Sequence, residues 1–386
     1  MNRSRFTTIV LLPALFAAPR SSSAQLVQPK IERLPNGAVR IINDGPSAWR
    51  EGAGWKIVIE TTIQPAEGSP GELANPSGIV RTTDGRFVVT DMTAPTIRLF
   101  DRTGRFVREI GRAGEGPGEY RQPMPALFRD TLMIYDGKLN RVSVMTLDGK
   151  SVRTISVPYS GSCCRPPMVD ASGRLVIAGF NGKGYLFRRF TLSGQAVDSI
   201  VVPQAVANGV WNVASGGGQA TYGIPFAAAT ARTMLLDGTM LYGNSREYQL
   251  RVTRTGRDTI RLIERRTVAP TLIPPVLRES TFHQLVDHNA DLRTVAKLND
   301  IPKDFPVWSS ASEDSHSNLW VRPGGGAPEA PVRFDVFTHD GRLLGNVTAP
   351  FTWSSPNITF LGDRIGVIDT DTNDLPRIRI YRILMN

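Results

Sequence analysis

The feature that most constrains the fold of this chain is a phrase that occurs twice. Residues 67–76 read EGSPGELANP and residues 115–123 read EGPGEYRQP, which is the same phrase apart from one inserted residue. Gly71 and Gly118 of the two copies stand 47 residues apart. A repeat of this length is typical of arrays in which each unit is one supersecondary element packed against its neighbours.

A second set of glycines has almost the same period. Gly104, Gly149 and Gly194 follow one another at steps of 45 residues, and Gly256 and Gly341 follow after 62 and 85 residues. The two longer steps are the same unit with insertions. Each glycine lies between two runs of alternating apolar and polar residues, which is typical of a β-hairpin.

A further turn lies roughly half a unit before each of these glycines, so that one unit contains four strands. Four-stranded units in series predict an all-β fold, a β-propeller of four-stranded antiparallel blades. We count six blades, near 77–112, 124–158, 166–203, 225–265, 306–348 and 357–383.

The sixth unit lacks its last strand, and a spare strand lies at the other end of the propeller. Residues 55–63 alternate in polarity and have nothing before them to complete. We therefore predict that this N-terminal strand closes the ring onto residues 377–383, which removes two exposed sheet edges. The predicted organisation is a signal peptide over 1–24, an N-terminal extension over 25–54 and the six-bladed β-propeller over 55–386.

The first residues predict export. A short basic segment, an apolar run of about a dozen residues and small residues at Ser22 and Ala24 are typical of a secretory signal peptide. No later apolar run is long enough to span a bilayer. We therefore expect a periplasmic or extracellular protein, and we expect it to be a monomer. The formal net charge is +10, but the basic residues are scattered, whereas nucleic-acid binding needs a concentrated basic face.

The chain resembles the exported bacterial six-bladed β-propellers of the NHL-repeat type. The resemblance is carried by GEGPGEYRQP at 114–123 with its copy at 67–76, by TTDGRFVVTD at 82–91 and by FDRTGRFVREIG at 100–111. It covers about residues 55–383 and is weakest in the fourth blade. It implies the fold far better than a chemistry, because propellers include lyases, hydrolases and binding modules.

The glycine-rich stretch GRAGEGPGEY at 111–120 invites comparison with a phosphate-binding loop. Such a loop needs a helix N-terminus behind the glycines, whereas here Gln122 and Pro123 lead into another strand. We predict that the stretch is the crossover from the outer strand of one blade to the inner strand of the next, with the glycines at tight bends.

The long irregular loops should all emerge on one face of the ring. They are 159–166, 204–224, 266–305, 322–331 and 369–376. Apolar residues recur at three- and four-residue steps in 266–305, which predicts one or two short helices between blades 4 and 5. This insertion is either a cap over apolar surface or a lid on a ligand cleft at the mouth of the central channel.

Five residues on this face are candidates for a disulfide or for ligand contacts. Cys163 and Cys164 are adjacent, and an exported chain with no third cysteine favours a disulfide between them over two free thiols. Arg165 could contact an anion. His283 and His288 are candidate ligand-binding residues, although their five-residue spacing does not suit a helical zinc site, which prefers four, and the resemblance to zinc-binding lyase propellers fails here.

Four carboxylates are candidate metal ligands. Asp91, Asp136 and Asp369 each follow the second strand of a blade, and Asp371 adds a further oxygen beside Asp369. An aspartate at this repeated position favours turn chemistry. If these residues instead ring the channel mouth, they could hold one Ca²⁺, as lactonase-type propellers do.

The sequence therefore favours a binding or scaffold module, with a protein, peptide or saccharide as its ligand and with no cofactor. The alternative is a metal-dependent lactonase or lyase that uses the carboxylates at the channel mouth. No catalytic serine motif or Ser/His/Asp set can be assigned.

Overall fold

The computed structural model describes residues 28–50, 53–157, 166–181, 184–207, 209–215, 218–353 and 357–385. These residues form β-strands, one α-helix and two short 3₁₀ turns. The first three strands are β1 (Lys30–Arg33), β2 (Val39–Ile42) and β3 (Lys56–Ile63).

Blades 1, 2 and 3 are consecutive four-stranded antiparallel meanders. Blade 1 is β4 (Pro76–Arg81), β5 (Phe87–Asp91), β6 (Thr96–Phe100) and β7 (Phe106–Ala113), and the short strand β8 (Glu119–Tyr120) extends it. Blade 2 is β9 (Pro123–Phe128), β10 (Thr131–Asp136), β11 (Arg141–Thr146) and β12 (Ser151–Ser156). Blade 3 is β13 (Met168–Val169), β14 (Leu175–Phe180), β15 (Tyr185–Phe190) and β16 (Ala196–Val201).

A hairpin of β17 (Val210–Ser215) and β18 (Gly218–Gly223) precedes blade 4, which is β19 (Thr230–Met234), β20 (Met240–Asn244), β21 (Gln249–Thr253) and β22 (Arg261–Glu264). The helix α1 (Pro275–His288) and the 3₁₀ turns Ala290–Thr294 and Leu298–Asp300 follow. Blade 5 is β23 (Ser310–Glu313), β24 (Leu319–Arg322), β25 (Pro331–Phe337) and β26 (Leu343–Thr352). Blade 6 begins with β27 (Asn357–Phe360), β28 (Arg364–Thr370) and β29 (Pro376–Leu384).

The N-terminal strand β3 supplies the fourth strand of blade 6. It pairs antiparallel with β29, from Ile63 opposite Ile378 to Lys56 opposite Leu384. The six blades, the closing strand and the helical insertion between blades 4 and 5 are thus confirmed.

Each of the six blade-to-blade interfaces has its own apolar core. The interface between blades 6 and 1, for example, buries Ile63, Ile378 and Phe87. The other five clusters likewise draw their residues from two adjacent blades. Because alternate residues of every strand face a neighbouring blade, the apolar alternation in the sequence becomes the contact between sheets.

The turn glycines have the backbone conformation that their positions require. Gly85, Gly104, Gly149, Gly173, Gly194, Gly238, Gly256, Gly341 and Gly362 all have positive φ, between +74° and +94°. At Gly104 a side chain is also excluded by space, because a Cβ atom would lie 2.7 Å from the carbonyl oxygen of Thr62. The turn residues therefore fix the hairpin geometry of each blade.

Residues 28–50 form an N-terminal strap along the outer edges of blades 4 and 5. Strand β2 pairs in parallel with β22, the outer strand of blade 4. Asn43 then bonds to blade 5, because its Nδ2 donates to the carbonyl of Gly341 at 3.0 Å and its Oδ1 accepts the N–H of Leu343 at 2.8 Å. The strap thus ties blade 4 to blade 5 before β3 enters blade 6.

Candidate functional site

The two faces of the ring differ in the length of their loops. We call the face reached by the blade-to-blade crossovers, and by the loops between second and third strands, the loop face. The opposite face, which carries the tight hairpins, is the turn face. The long segments 204–224 and 266–305 belong to crossovers, so the topology puts both of them on the loop face.

These two segments pack together into a cap, formed by the β17–β18 hairpin, α1 and the turns up to Ile301. Trp211 of the hairpin is buried in one cluster with Leu292 and Ile301. Its indole Nε1 donates to Oδ2 of Asp300 at 2.8 Å. The apolar residues that the sequence periodicity pointed to, among them Phe282 and Leu285, contact this cluster.

The channel along the ring axis contains a cavity of about 610 Å³. The innermost strand of every blade contributes to its wall. Most of the described lining residues are apolar, and the charged ones among them are Arg81, Arg232 and Glu313. A mostly apolar cavity with a few charged groups is the usual character of a ligand site.

Arg232 connects this cavity with an aromatic pair of blade 3. Its guanidinium carbon lies 3.7 Å from the ring centroid of Tyr185, a cation–π contact. The Tyr185 ring in turn makes an edge contact with Phe180 at 5.5 Å. Phe180 and Tyr185 end and begin strands at the loop face, and they remain 42% and 39% exposed. One cation and two accessible rings therefore meet beside the channel.

Glu313 is a buried carboxyl group at the turn-face end of the same cavity. Its side chain is 3% exposed, and burial raises its pKa above the ordinary value. Oε2 accepts the N–H of Leu236 at 2.5 Å, and Oε1 lies 3.7 Å from Nδ1 of His339. Sequence reasoning missed this residue, because nothing in the local sequence distinguishes it from other glutamates.

The carboxylates of Asp91 and Asp136 are occupied by backbone donors. Oδ2 of Asp91 accepts the N–H groups of Ala74 and Asn75, and Oδ1 accepts those of Thr93 and Ala94. Asp136 repeats the pattern in blade 2, with Arg121, Gln122, Lys138 and Leu139 as donors. Each aspartate ties a crossover to the loop after the second strand.

Asp369 and Asp371 also have partners from the chain. Asp369 is paired with Arg377, at 2.8 Å, and with Arg379. Oδ1 of Asp371 accepts hydrogen bonds from the backbone N–H groups of Asn373 and Leu375, and Oδ2 accepts one from Nε2 of Gln64. The hydrogen bond from Asn373 is the main cause of a lowered pKa of the Asp371 carboxyl group. Asp369 and its two arginines line a loop-face cleft of about 630 Å³ between blades 6 and 1.

The predicted metal ligands therefore have protein donors on their oxygens, and their donor set does not fit a cation site. Within the described ranges, no group of three or more His, Cys, Asp or Glu side chains is placed so as to hold a metal ion. His283 and His288 are both exposed on α1, and Nδ1 of His288 contacts the carbonyl of Gln284 at 2.7 Å. Cys163, Cys164 and Arg165 lie outside the described residues.

In the glycine-rich stretch at 111–120, the backbone N–H groups are bonded to a glutamate side chain of the same stretch. Oε2 of Glu119 accepts the N–H groups of Glu115, at 3.2 Å, and of Gly116, at 3.0 Å. The first copy of the phrase repeats this contact, since Oε2 of Glu72 accepts the N–H of Gly68 at 2.9 Å. The donors that a phosphate would need are thus taken by a glutamate in each copy, and the stretch joins β7 to β9 as a crossover.

Comparison with known proteins supports the fold. Residues 72–175 match the sequence model of a family described as 6-bladed beta-propeller. No curated protein matches the chain. Among solved structures, a Bacteroides fragilis protein with a provisional description as an exported protein is similar at a TM-score of 0.51 and 12% identity, over 89% of this chain and 99% of that one.

Two enzymes are more distant structural neighbours. Virginiamycin B lyase from Staphylococcus aureus has a TM-score of 0.42 and 13% identity over 84% of this chain and 99% of its own. A gluconolactonase from Xanthomonas campestris has a TM-score of 0.41 and 12% identity over 81% and 87%. At these values the likeness carries no argument about chemistry. In fold, the chain is a six-bladed β-propeller, as its repeats predicted.

Proposed function

We propose that this protein is an exported binding module whose ligand enters the central channel from the loop face. The observation that carries the proposal is the contact between Arg232 and Tyr185, which places a guanidinium group and accessible aromatic rings beside a cavity of about 610 Å³. The ligand that fits is a saccharide or peptide with a carboxylate group.

The charges of the channel support an anionic ligand. Among the described residues, two arginines, Arg81 and Arg232, line the cavity with a single carboxyl group, Glu313. Burial raises the pKa of Glu313 and so favours its neutral form. The cavity wall is therefore cationic on balance, and charge-assisted hydrogen bonds from a guanidinium to a carboxylate are among the stronger polar contacts.

The aromatic pair supports a ligand with an apolar face. Phe180 and Tyr185 lie at strand ends and contact each other edge to face, and both keep about two fifths of their surface exposed. Rigid aromatic rings lose little conformational entropy on binding and are enriched at binding sites. A sugar ring or a flat side chain next to the carboxylate could pack against them.

Isothermal titration calorimetry tests the proposal with matched probes, trigalacturonic acid against galactotriose, and triglutamate against trialanine. We expect binding of an acidic probe only, and Arg232→Gln should weaken it by about tenfold or more, because a hydrogen bond to a charged group contributes about 1.5–3 kcal/mol. Arg153→Gln, on the exposed outer strand of blade 2, is the control. Equal binding of neutral probes, or unchanged binding by the Arg232 variant, would contradict the proposal.

The metal-dependent lactonase or lyase is a weaker candidate, because its metal would need free carboxylate oxygens at the channel mouth. The oxygens of Asp91 and Asp136 accept four backbone N–H groups each. Metal analysis of protein purified without chelator tests this reading, and stoichiometric Ca²⁺ or Zn²⁺ would favour the enzyme over the binding module.

Export is part of the proposal and rests on the sequence of residues 1–24, which lie outside the described residues. In the described part of the chain, no helix is long and apolar enough to cross a membrane. Mass spectrometry of the protein from its native host is the test. We expect a mature N-terminus near Gln25, and an intact Met1 would argue against export.

A further inference from the structure

The register position that holds a structural carboxylate in blades 1 and 2 holds an arginine in blade 5. The last residue of the second strand is Asp91 in blade 1 and Asp136 in blade 2, and each lies opposite the first residue of the inner strand. In blade 5 the residue in this register is Arg322, opposite Ser310. Blade 5 thus has a cation where blades 1 and 2 have a structural carboxylate, whereas in its neighbour, blade 4, the neutral Asn244 holds this position.

Among the described residues, Arg322 has no acidic partner. It is half-buried, and its inaccessible Nε has no hydrogen-bond partner within that part of the chain. Across the described ranges it forms no ion pair, whereas Arg98 lies 3.9 Å from Asp91 and Arg379 is paired with Asp369. Burial lowers the pKa of Arg322, and no carboxylate opposes that effect. A guanidinium that is partly desolvated without a counter-charge costs free energy.

The guanidinium does have an aromatic contact. Its carbon lies 4.6 Å from the centroid of the Trp353 ring. That ring packs on the loop between the second and third strands of blade 5, where a Cβ on Gly326 would come within 2.2 Å of Trp353 Nε1. The preceding glycine, Gly325, is equally restricted, because a Cβ there would lie 1.9 Å from Cδ1 of Phe305. The two glycines therefore let this loop approach both aromatic rings closely.

We propose that Arg322, stacked on Trp353, is a carboxylate-binding site on the loop face, separate from the central channel. The ligand supplies the counter-charge that none of the described residues gives to Arg322. Stacking covers one face of the guanidinium and leaves its edge for a bidentate contact with a planar carboxylate, which a lysine could not make. The site adjoins the loop-face cleft, because Thr352, next to Trp353, lines that cleft.

Fluorine NMR of the full chain labelled with 5-fluorotryptophan tests binding, with the Trp353 signal assigned by Trp353→Phe. At constant ionic strength, succinate should shift this signal saturably and succinamide should not. Arg322→Gln should abolish the shift, whereas Arg232→Gln should leave it, which separates this site from the channel. A shift with succinamide, a shift that persists in the Arg322 variant, or tighter binding of inorganic phosphate than of succinate would overturn the proposal.

Thermal unfolding gives a second test that does not need the ligand. Arg322→Gln removes a charge without a counter-charge, so it should leave the Tm unchanged or raise it. Arg379→Gln breaks an ion pair with Asp369 on the same face and should lower the Tm. If Arg322→Gln lowers the Tm as much as Arg379→Gln does, Arg322 is a structural residue and the proposal is wrong.

Discussion

The carboxylate of Asp91 accepts the backbone N–H of Asn75 at 2.9 Å. This contact joins the end of β5 to the crossover that arrives from blade 6. With three further backbone donors on the same side chain, Asp91 is a brace between two loops.

We predict that Asp91→Asn destabilises the protein by about 2–3 kcal/mol, because one half of the amide is a donor that faces backbone donors. Chemical unfolding should show this loss to the same extent with and without added Ca²⁺. Asp287→Asn, at an exposed position of α1, is the control. A loss of stability that appears only when Ca²⁺ is present would instead make Asp91 a metal ligand.

Glu313→Gln should stabilise the protein at neutral pH. Burial raises the pKa of Glu313 in the folded state, so the stabilising effect of its proton is complete below the unfolded pKa and is lost as pH rises through the folded pKa. The difference in Tm between variant and parent should therefore be small at pH 4 and grow towards pH 7. Glu329→Gln, at an exposed position, should show no such trend, and a constant difference across this range would refute the prediction.

Trp49→Ala should weaken the attachment of the N-terminal strap. The Trp49 ring packs on Gly345, where a Cβ atom would lie 2.6 Å from Cε3 of the ring. Its centroid lies 5.0 Å from that of the Trp55 ring. Loss of this half-buried side chain should cost about 2–3 kcal/mol, measured by urea unfolding. Phe180→Ala removes a more exposed aromatic side chain and should cost less. An equal cost for the two would mean that Trp49 adds no more to stability than an exposed ring does, and that β2 and Asn43 alone attach the strap.

Leu292→Ala should loosen the cap without unfolding the propeller. Leu292 is fully buried, but in a cluster that is separate from the six blade interfaces. Limited proteolysis should cut within 275–300 faster, while the main thermal transition stays in place. Leu241→Ala, in the core between blades 4 and 5, should instead lower that transition. If both variants shift it equally, the cap and the ring unfold as one unit.

The ring could be predicted from sequence because its determinants are local and repeated. A turn glycine such as Gly149 marks a hairpin within a few residues, and the alternation in 55–63 identifies a strand that lacks a partner. The same local logic located the apolar stripe that includes Phe282 and Leu285.

The features that escaped prediction depend on which blades meet. Val39–Ile42 is only four residues long, and nothing in its sequence indicates a parallel pairing with β22. Arg232 and Tyr185 belong to different blades and meet only after the ring has closed. For Asp91 the sequence showed a repeated carboxylate, but it did not show whether the oxygens face the channel or the backbone.

The pairing of β3 with β29 makes the ring depend on both ends of the chain at once. Until residues 376–384 have left the ribosome, β3 has no strand to pair with. Closure of the ring therefore waits for the synthesis of its last strand. Until then the polypeptide remains an open chain, joined only by the contacts between consecutive blades.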